Sequence, residues 1–435
     1  MKNKLPWLIL LAIHIAFFYY ALNGGQTQLK DSTEYLQQAE NIRTRHTWYC
    51  GNRLSTFKEE LVSQRPPLYG LFISFTQIFS MPVPLLFFLQ MLLSILNCWI
   101  AYHLLIIITN KKINPGLFLF PLIFFPTQFI YANMIMSEVL FQTFLMAAIY
   151  FGIVYLQKDK ISFLWKFQLL ITLSFLVKPI ALLFPILLFP LHVIYCIKTK
   201  KNKTSLVTFL IPFLTLVGMM QFNYSKTGVW EYSSISRKLM LNYNIYALSE
   251  KINGPVAAYQ EIDSIETIAA TLPYPQRAVL IDKFCSEKIA EHPIRYSVLH
   301  IYGAWRFFID PCTWETNHFF NTTQNSLSNK LSTAIPKTGM DYLTNEKLYS
   351  KLFTLLSIFV NCILLLTFVL SLSYKNIALK FRILLGAFIL YFAFLTGPSA
   401  SSRFRLPIYP LLLVSFGLFV NKVEEVSNEH LPSRD

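Results

Sequence analysis

Apolar runs long enough to cross a lipid bilayer recur along this 435-residue chain, and they constrain its fold more than any other feature. A transmembrane helix needs about 20 consecutive apolar residues, and a helix pairs its own backbone groups within the bilayer. Charged residues make up only 14% of the chain, against about 25% in a soluble domain. We therefore predict an all-α polytopic membrane protein with about ten transmembrane helices. The predicted spans are 5–22, 83–109, 115–131, 138–156, 161–177, 179–197, 204–223, 349–372, 381–396 and 404–421.

Basic residues are distributed asymmetrically around these spans. The connections 110–114, 157–160, 198–203 and 373–380 are rich in lysine, whereas residues 224–348 carry twelve basic and twelve acidic side chains. Cytoplasmic loops of membrane proteins carry the excess of Lys and Arg. We therefore predict a multi-pass protein of the cell membrane (inner or plasma) with both termini in the cytoplasm. The same rule explains the net charge of +15, so we expect no nucleic-acid partner.

This sidedness divides the chain into four regions. Residues 1–223 form an N-terminal transmembrane module whose first external loop is 23–82. Residues 224–348 form an extracytoplasmic lobe, which is predicted to be mostly helical because apolar and charged residues recur in it at helical spacing. Residues 349–421 form the C-terminal transmembrane helices, and residues 422–435 a cytoplasmic tail.

The first external loop contains an apolar segment, 66–80, that is not counted as a span. If it crossed the membrane, Lys111 and Lys112 would move to the external side, against the charge rule. We therefore predict a juxtamembrane or re-entrant helix that begins at Pro66-Pro67, since proline suits the first turn of a helix.

Three of the six cysteines lie in the polar loops, namely Cys50, Cys285 and Cys312. A disulfide between Cys285 and Cys312 is an open alternative, and it would leave one loop cysteine over. The spacing of the cysteines predicts no metal site.

Acidic residues are the first candidates for a site. Of the 23 Asp and Glu, only Glu138 lies within a predicted span. Because a lipid-facing charge is costly, Glu138 is expected to face the helix bundle or a wet cavity, although a helix dipole also favours Glu at a helix start. Asp31 and Glu34 follow the first span in Asp31-Ser-Thr-Glu-Tyr35, a pattern that equally well caps a helix.

Cations on the predicted external side are the second set of candidates. These residues run against the positive-inside trend, and they are Arg65, Lys178, Arg403 and Arg405. Each has an ordinary interfacial explanation, because basic side chains reach the headgroups. Taken together, they are suited to an anion, and the obvious anion in a membrane is a lipid phosphate.

Carboxylates and cations that meet at the outer leaflet suit the transfer of a group from a lipid phosphate. A carboxylate can take the proton of an acceptor hydroxyl as general base. Fixed cations stabilise the departing phosphate, whose charge grows in the transition state. A single displacement inverts the anomeric configuration of a transferred sugar.

These motifs resemble those of the GT-C superfamily of membrane glycosyltransferases, in the branch of the protein O-mannosyltransferases and the bacterial lipid A aminoarabinose transferase. The resemblance covers residues 1–200 and 380–420, and the region 224–348 does not share in it. The motifs that carry it are Asp31-Ser-Thr-Glu-Tyr35, Arg65-Pro-Pro-Leu-Tyr69, Ser137-Glu138-Val-Leu, Val177-Lys178-Pro179 and Arg403-Phe-Arg-Leu-Pro407-Ile-Tyr-Pro410.

The resemblance implies a polyprenyl-phosphate-linked sugar donor and transfer to a lipid, glycan or protein on the extracytoplasmic face. It implies Asp31 as the catalytic base and Glu138 as a second acid. It also implies contact between the donor phosphate and basic residues, for which we assign Arg65, Lys178, Arg403 and Arg405. Further contacts with the donor or acceptor are assigned to Glu34, Tyr35 and Tyr69.

The chain departs from the family pattern in two places. Many relatives carry adjacent Asp and Glu in the first loop, whereas here Ser32 follows Asp31, and the second acid is Glu138 rather than Asp. Metal dependence varies in the superfamily, so a divalent cation between Asp31 and Glu138 stays an open alternative. Two carboxylates make a thin site for such an ion.

Two other functions use a lipid-linked glycan at this face. The first alternative is a transporter or flippase of lipid-linked glycans, although such proteins often show related halves and none are recognisable here. The second is a glycan polymerase or ligase, which would depend on loop Arg and His more than on Asp31. The sugar, the acceptor and the oligomeric state are not encoded in any recognisable pattern.

Overall fold

A computed structural model of the protein describes residues 4–52, 54–199, 203–321 and 348–429. Every regular element among these residues is helical. Seven helices in this part of the chain are long and apolar enough to cross a membrane, as expected of a membrane protein. They run over Leu5–Asn23, Pro82–Thr109, Glu138–Lys158, Pro179–Thr199, Thr204–Thr227, Lys351–Ser371 and Ser402–Val423.

The N-terminal half alternates long apolar helices with short helices. The α-helices are α1 Leu5–Asn23, α2 Lys30–Arg45, α3 Glu60–Ser63, α4 Pro67–Thr76, α5 Pro82–Thr109, α6 Pro115–Leu119, α7 Thr127–Tyr131, α8 Glu138–Lys158, α9 Ile161–Val177, α10 Leu183–Thr199 and α11 Leu210–Thr227. Turns of 3-10 helix over Pro179–Leu182 and Lys203–Phe209 lead into α10 and α11. The predicted helix in the first loop is present as α4, with Pro67 in its first turn.

The segment 115–131, which the sequence predicts as one span, is not a continuous helix. Helix α6 passes into a 3-10 turn over Phe120–Phe124, and α7 starts afresh after Pro126. Proline has no backbone N–H and its ring clashes with the preceding turn of a helix. Pro121 and Pro126 therefore divide a stretch that is apolar throughout.

Two further predicted spans are present as helices of 17 residues, α9 and α19 Leu379–Leu395. At about 1.5 Å per residue, a helix of this length covers roughly 25 Å, less than a typical hydrocarbon core of about 30 Å. The count of ten spans therefore stays a prediction.

A second group of helices lies between α11 and the C-terminal helices. It consists of α12 Ile235–Leu239, a π-helical turn Met240–Ile245, α13 Tyr246–Asn253, α14 Pro255–Ala270, α15 Tyr274–Glu291, α16 Pro293–Ile309 and α17 Thr313–Phe319. Part of this group packs around an apolar cluster of its own, with Leu241, Ile245 and Ile262 at its centre. Residues 322–347 of the predicted lobe lie outside the described residues.

The cysteine alternative raised by the sequence is not realised. Cys285 is a free thiol within the second apolar cluster. Cys312 is a free thiol buried in the main core of the bundle. The two side chains therefore belong to different packing units and form no disulfide.

The C-terminal helices close the bundle. They are α18 Leu348–Ser371, α19 Leu379–Leu395, α20 Ser402–Arg405 and α21 Tyr409–Glu429. Short 3-10 turns at Gly397–Ser399 and Leu406–Ile408 interrupt the chain around α20, and each contains a proline. Gly303 of α16 lies so close to the Gly397 carbonyl that any side chain there would collide with it. Residues 430–435 of the predicted tail lie outside the described residues.

Helix α8 and the helical run that begins with α20 form the centre of the molecule. In an apolar stretch of 18 residues within each of them, 72% of the residues are buried, against 17% in the corresponding stretch of α1. Helix α8 packs against α5 and α9, and α21 packs against α5 and α18. The ends of these central helices are therefore the places where several chain segments meet.

Candidate active site

Local sequence rules place charged side chains at one end of this bundle. Asp31 lies in the first turn of α2 and Glu138 opens α8, where the helix dipole favours a negative charge. Lys178 ends α9 in extended conformation, because the residue before a proline disfavours helix. Arg65 precedes the two prolines that start α4, and Arg403 lies on α20.

Arg403 connects the two acids that the sequence singled out. Its Nε donates to Glu138 Oε1 at 2.6 Å and its Nη2 donates to Asp31 Oδ2 at 2.7 Å. Lys178 Nζ donates to the same Glu138 oxygen at 2.8 Å. The other oxygen of Asp31 pairs with Arg65 Nη2 at 2.9 Å. These five residues, Asp31, Arg65, Glu138, Lys178 and Arg403, form one charge cluster.

Asp31 is held as a carboxylate in this cluster. Burial by itself would raise the pKa of Asp31, but the positive charges of Arg403 and Arg65 outweigh burial and hold that pKa well below its ordinary value. Asp31 and Arg403 keep 26% and 21% of their side chains exposed, whereas Glu138 is fully buried. A ligand therefore reaches the cluster from the side of Asp31 and Arg403.

Arg65 is fixed by its own neighbours. Glu34 Oε2 accepts from Arg65 Nε at 2.6 Å, and Gln64 Nε2 donates to the other Glu34 oxygen at 2.6 Å. The guanidinium carbon of Arg65 lies 5.1 Å from the centre of the Tyr35 ring. The carboxylates of Asp31 and Glu34 raise the pKa of Arg65 although burial opposes them. Glu34 therefore positions Arg65.

The two predicted tyrosine contacts form the wall behind the cluster. Tyr35 and Tyr69 are buried and pack edge to face, with ring centres 4.8 Å apart. The Tyr35 hydroxyl is bonded to Ser137 Oγ at 2.9 Å, and the Tyr69 hydroxyl donates to Gln90 Oε1 at 2.8 Å. Both hydroxyls are thus engaged within the protein, and the rings support Arg65 and the start of α8.

The structure does not bring Arg405 into the cluster, which corrects its assignment to the donor phosphate. The Arg405 side chain is fully buried, and it donates to the carbonyls of Phe308 and Asp310 at the end of α16. Residues two apart on a helix point about 200° apart. Arg403 and Arg405 therefore face opposite sides of α20, and Arg405 anchors α16.

Glu315 on α17 is a site residue that the sequence did not reveal. It is buried and its Oε1 accepts the backbone N–H of Arg403 at 3.2 Å. Burial, together with the nearby charge of Asp310, raises the pKa of Glu315 to about 7. Among twelve loop acids no spacing or motif distinguishes Glu315, so only its contact across the fold identifies it.

The cluster does not suit the divalent cation that the resemblance left open. Among residues 4–52, 54–199, 203–321 and 348–429, no group of three His, Cys, Asp or Glu side chains could hold a metal ion. The guanidinium of Arg403 bonds to both Asp31 and Glu138, so a positive group already bridges the two carboxylates.

An apolar groove lies between α4 and α8. It has a volume of about 440 Å³ and is formed mainly by α4 and α8. Its lining begins at Leu68, three residues after Arg65, and at Leu140, two residues after Glu138. The remaining lining residues are Leu71, Phe72, Ser74, Phe75, Ile78 and Phe144.

The chemical possibilities of this end of the bundle follow from its own residues. No protein-family model matches the chain, and no curated protein matches its sequence.

Three cations, Arg65, Lys178 and Arg403, converge where a phosphate could replace their carboxylate partners. The groove between α4 and α8 has the apolar lining that an acyl or isoprenoid chain requires.

Proposed function

We propose that this protein is a membrane glycosyltransferase that moves a sugar from a polyprenyl-phosphate-linked donor to a lipid, glycan or protein acceptor. The observation that carries the proposal is the bridge that Arg403 makes between Asp31 and Glu138, with Arg65 and Lys178 beside it. A cluster of carboxylates and cations provides what a lipid-phosphate donor and an acceptor hydroxyl need. The apolar groove between α4 and α8 offers a surface for the lipid chain.

In this proposal the cations hold the donor phosphate and the groove between α4 and α8 holds the start of its isoprenoid chain. The acceptor oxygen attacks the anomeric carbon of the sugar, and the bond from that carbon to the phosphate oxygen breaks. Asp31 receives the proton of the acceptor hydroxyl. Arg65, Lys178 and Arg403 stabilise the polyprenyl phosphate that departs, and the single displacement inverts the anomeric configuration.

Donor binding also prepares Asp31 as a base. With both oxygens paired to arginines, Asp31 has too low a pKa to take a proton efficiently. A donor phosphate competes for the same arginines and weakens their hold on Asp31. The pKa of Asp31 then rises, so proton transfer follows donor binding.

The proposal includes the topology expected from the charges. With the termini in the cytoplasm and ten spans, the charge cluster lies at the extracytoplasmic end of the bundle in the inner or plasma membrane. Polyprenyl-linked sugars presented at that face would reach the cluster from within the outer leaflet.

The test is Asp31→Asn, which keeps the size of the side chain and removes its basicity. Purified protein in vesicles is supplied with defined polyprenyl-phosphate sugars and candidate acceptors. We expect a loss of about 100-fold or more in transfer, with donor binding retained. The matched control is Glu40→Gln, an exposed acid on the same helix that pairs with Arg43, and we expect it to leave transfer unchanged.

Two results would contradict the proposal that the protein is a glycosyltransferase. The first is full transfer by both Asp31→Asn and Glu138→Gln. The second is a wild type that transfers no sugar but moves a lipid-linked glycan across the vesicle membrane, with that movement blocked by a variant of either residue. This result would identify a flippase.

A further inference from the structure

One buried tyrosine hydroxyl in the bundle is left without a hydrogen bond. Tyr131, the last residue of α7, has a fully buried side chain, and its hydroxyl has no partner among the described residues. An unsatisfied buried polar group costs about 1–3 kcal/mol, and such groups are rare in native structures. The hydroxyl of Tyr131 therefore calls for an explanation outside the fold itself.

Other buried tyrosines do have a hydrogen-bond partner for the hydroxyl, unlike Tyr131. Tyr232 and Tyr409, like Tyr35 and Tyr69, are buried and each has a hydroxyl bonded within the protein. Their partners are the Phe175 carbonyl at 2.8 Å, the Pro121 carbonyl at 3.0 Å, Ser137 Oγ and Gln90 Oε1. The fold thus provides a hydrogen-bond partner for the hydroxyl of each of these four tyrosines.

The position of Tyr131 points to the charge cluster. Helix α7, which ends at Tyr131, packs against α8, which begins at Glu138, and against α17, which carries Glu315. The charges of Arg403, Glu138 and Asp31 also act on the Tyr131 hydroxyl. A second buried atom there also lacks a hydrogen bond among the described residues, namely Glu138 Oε2, since both cations of Glu138 bond to Oε1. An acceptor and a hydroxyl thus lie unpaired at one end of the bundle.

We propose that the Tyr131 hydroxyl and Glu138 Oε2 form the subsite that binds hydroxyl groups of the donor sugar. The inference rests on the proposed function and deepens it. A carboxylate oxygen accepts from a sugar hydroxyl, and a tyrosine hydroxyl both donates and accepts. The sugar is joined directly to the phosphate, so a phosphate on Arg403 and Lys178 brings the sugar next to Glu138.

Access to this subsite follows from the same contacts. Both atoms are closed to water, and Arg403 bonds to the neighbouring Glu138 oxygen. When the donor phosphate draws the Arg403 guanidinium toward itself, the carboxylate of Glu138 is freed to meet the sugar. The phosphate therefore binds first to the cations, and the sugar hydroxyls then complete the pairing of Tyr131 and Glu138.

The experiment uses Tyr131→Phe, because the missing hydroxyl bond makes a clear prediction for stability. Removing a hydroxyl that bonds to nothing leaves the melting temperature of the protein unchanged or raises it. Affinity is measured for undecaprenyl phosphate alone and for undecaprenyl phosphate carrying one hexose, pentose or amino sugar. We expect Tyr131→Phe to bind bare undecaprenyl phosphate like the wild type, and to bind the preferred glycosylated lipid about tenfold more weakly, the equivalent of one hydrogen bond.

The matched control is Tyr409→Phe, which removes a hydroxyl bonded to the Pro121 carbonyl. We expect this variant to melt at a lower temperature and to bind both kinds of lipid like the wild type. If Tyr131→Phe keeps wild-type affinity for every glycosylated lipid, or the wild type prefers none of them to bare undecaprenyl phosphate, the sugar subsite is overturned while lipid-phosphate binding stands. If the wild type binds no lipid phosphate at all, the proposed function fails and the subsite fails with it.

Discussion

Arg403 determines the geometry of the cluster at the scale of single residues. Its planar guanidinium bonds to Glu138 through Nε and to Asp31 through Nη2, so one rigid group sets the distance between two carboxylates. A lysine ammonium is a point charge without this fork and would not fix both acids. The backbone N–H of the same residue donates to Glu315, which ties the geometry of the cluster to α17.

Glu315 makes stability depend on pH near neutrality. Its pKa is raised to about 7 by burial and by Asp310, against about 4.3 in an unfolded chain. The folded protein therefore binds the extra proton, and this contribution is present below about pH 4.3 and lost as the pH rises through 7. We expect the melting temperature of the wild type in detergent to fall between about pH 5 and pH 8 more steeply than that of Glu315→Gln.

The Gln side chain keeps an oxygen that can accept the Arg403 N–H, so the comparison isolates the charge. Glu291→Gln, an exposed acid at the end of α15, serves as the control and should follow the wild-type slope. Parallel slopes for the wild type and Glu315→Gln would show that Glu315 does not titrate in this range.

The limits of sequence reasoning are clearest in neighbouring residues. Glu138, Lys178 and Arg403 lie at predicted span boundaries, where the sidedness of charge singles them out. Asp31 and Arg65 lie next to helix starts in the first external loop, where capping and proline rules apply. Arg405 lies two residues after Arg403 in the same motif. Because α20 turns between them, Arg405 faces α16 and bonds to the carbonyls at its end. Glu315 accepts a hydrogen bond from the backbone N–H of Arg403, which lies 88 residues away in the sequence. Contacts of this kind depend on packing that no local pattern records.

At the scale of elements, a buried hydrogen-bond network holds the start of α8 against the break before α21. Gln142, one turn after Glu138, donates to the Leu406 carbonyl at 2.6 Å and to Gln128 Oε1 at 3.0 Å. Its oxygen accepts from Asn97 at 2.7 Å and from Gln128 at 2.9 Å. The length of the apolar runs predicted most of the long helices. It predicted neither this network nor the break at Pro126, because mean hydropathy records neither polar pairing nor proline.

Gln142→Leu tests this network. The substitution keeps the volume but leaves the Leu406 carbonyl and two amides without their partner, and each such group costs about 1–3 kcal/mol. We expect a clearly lower melting temperature in detergent, together with weaker binding of undecaprenyl phosphate because Arg403 lies three residues before Leu406. Gln157→Leu on the same helix, where the amide is exposed and donates to the Ile107 carbonyl, should change neither value. Wild-type stability of Gln142→Leu would refute the role of the network.

At the scale of the whole molecule, the helices at 235–319 are joined to the first loop directly behind Arg65. Glu231 Oε1 accepts from Ser63 Oγ at 2.7 Å and from Tyr274 at 2.5 Å, and Oε2 accepts from Arg237 Nη1 at 2.7 Å. Ser233 Oγ donates to the Gln64 carbonyl at 2.9 Å. The segment that carries Arg65 therefore depends on residues far away in sequence for its position.

Glu231→Gln tests this connection, because it removes the charge that pairs with Arg237 and leaves only one oxygen for three donors. We expect faster hydrogen exchange of the backbone amides in α3 and at Gln64, and weaker binding of undecaprenyl phosphate than in the wild type. Glu287→Gln, an exposed acid on α15 that pairs with Lys283, is the control and should exchange like the wild type. Unchanged exchange in α3 of Glu231→Gln would mean that the first loop holds Arg65 in place without help from the helices at 235–319.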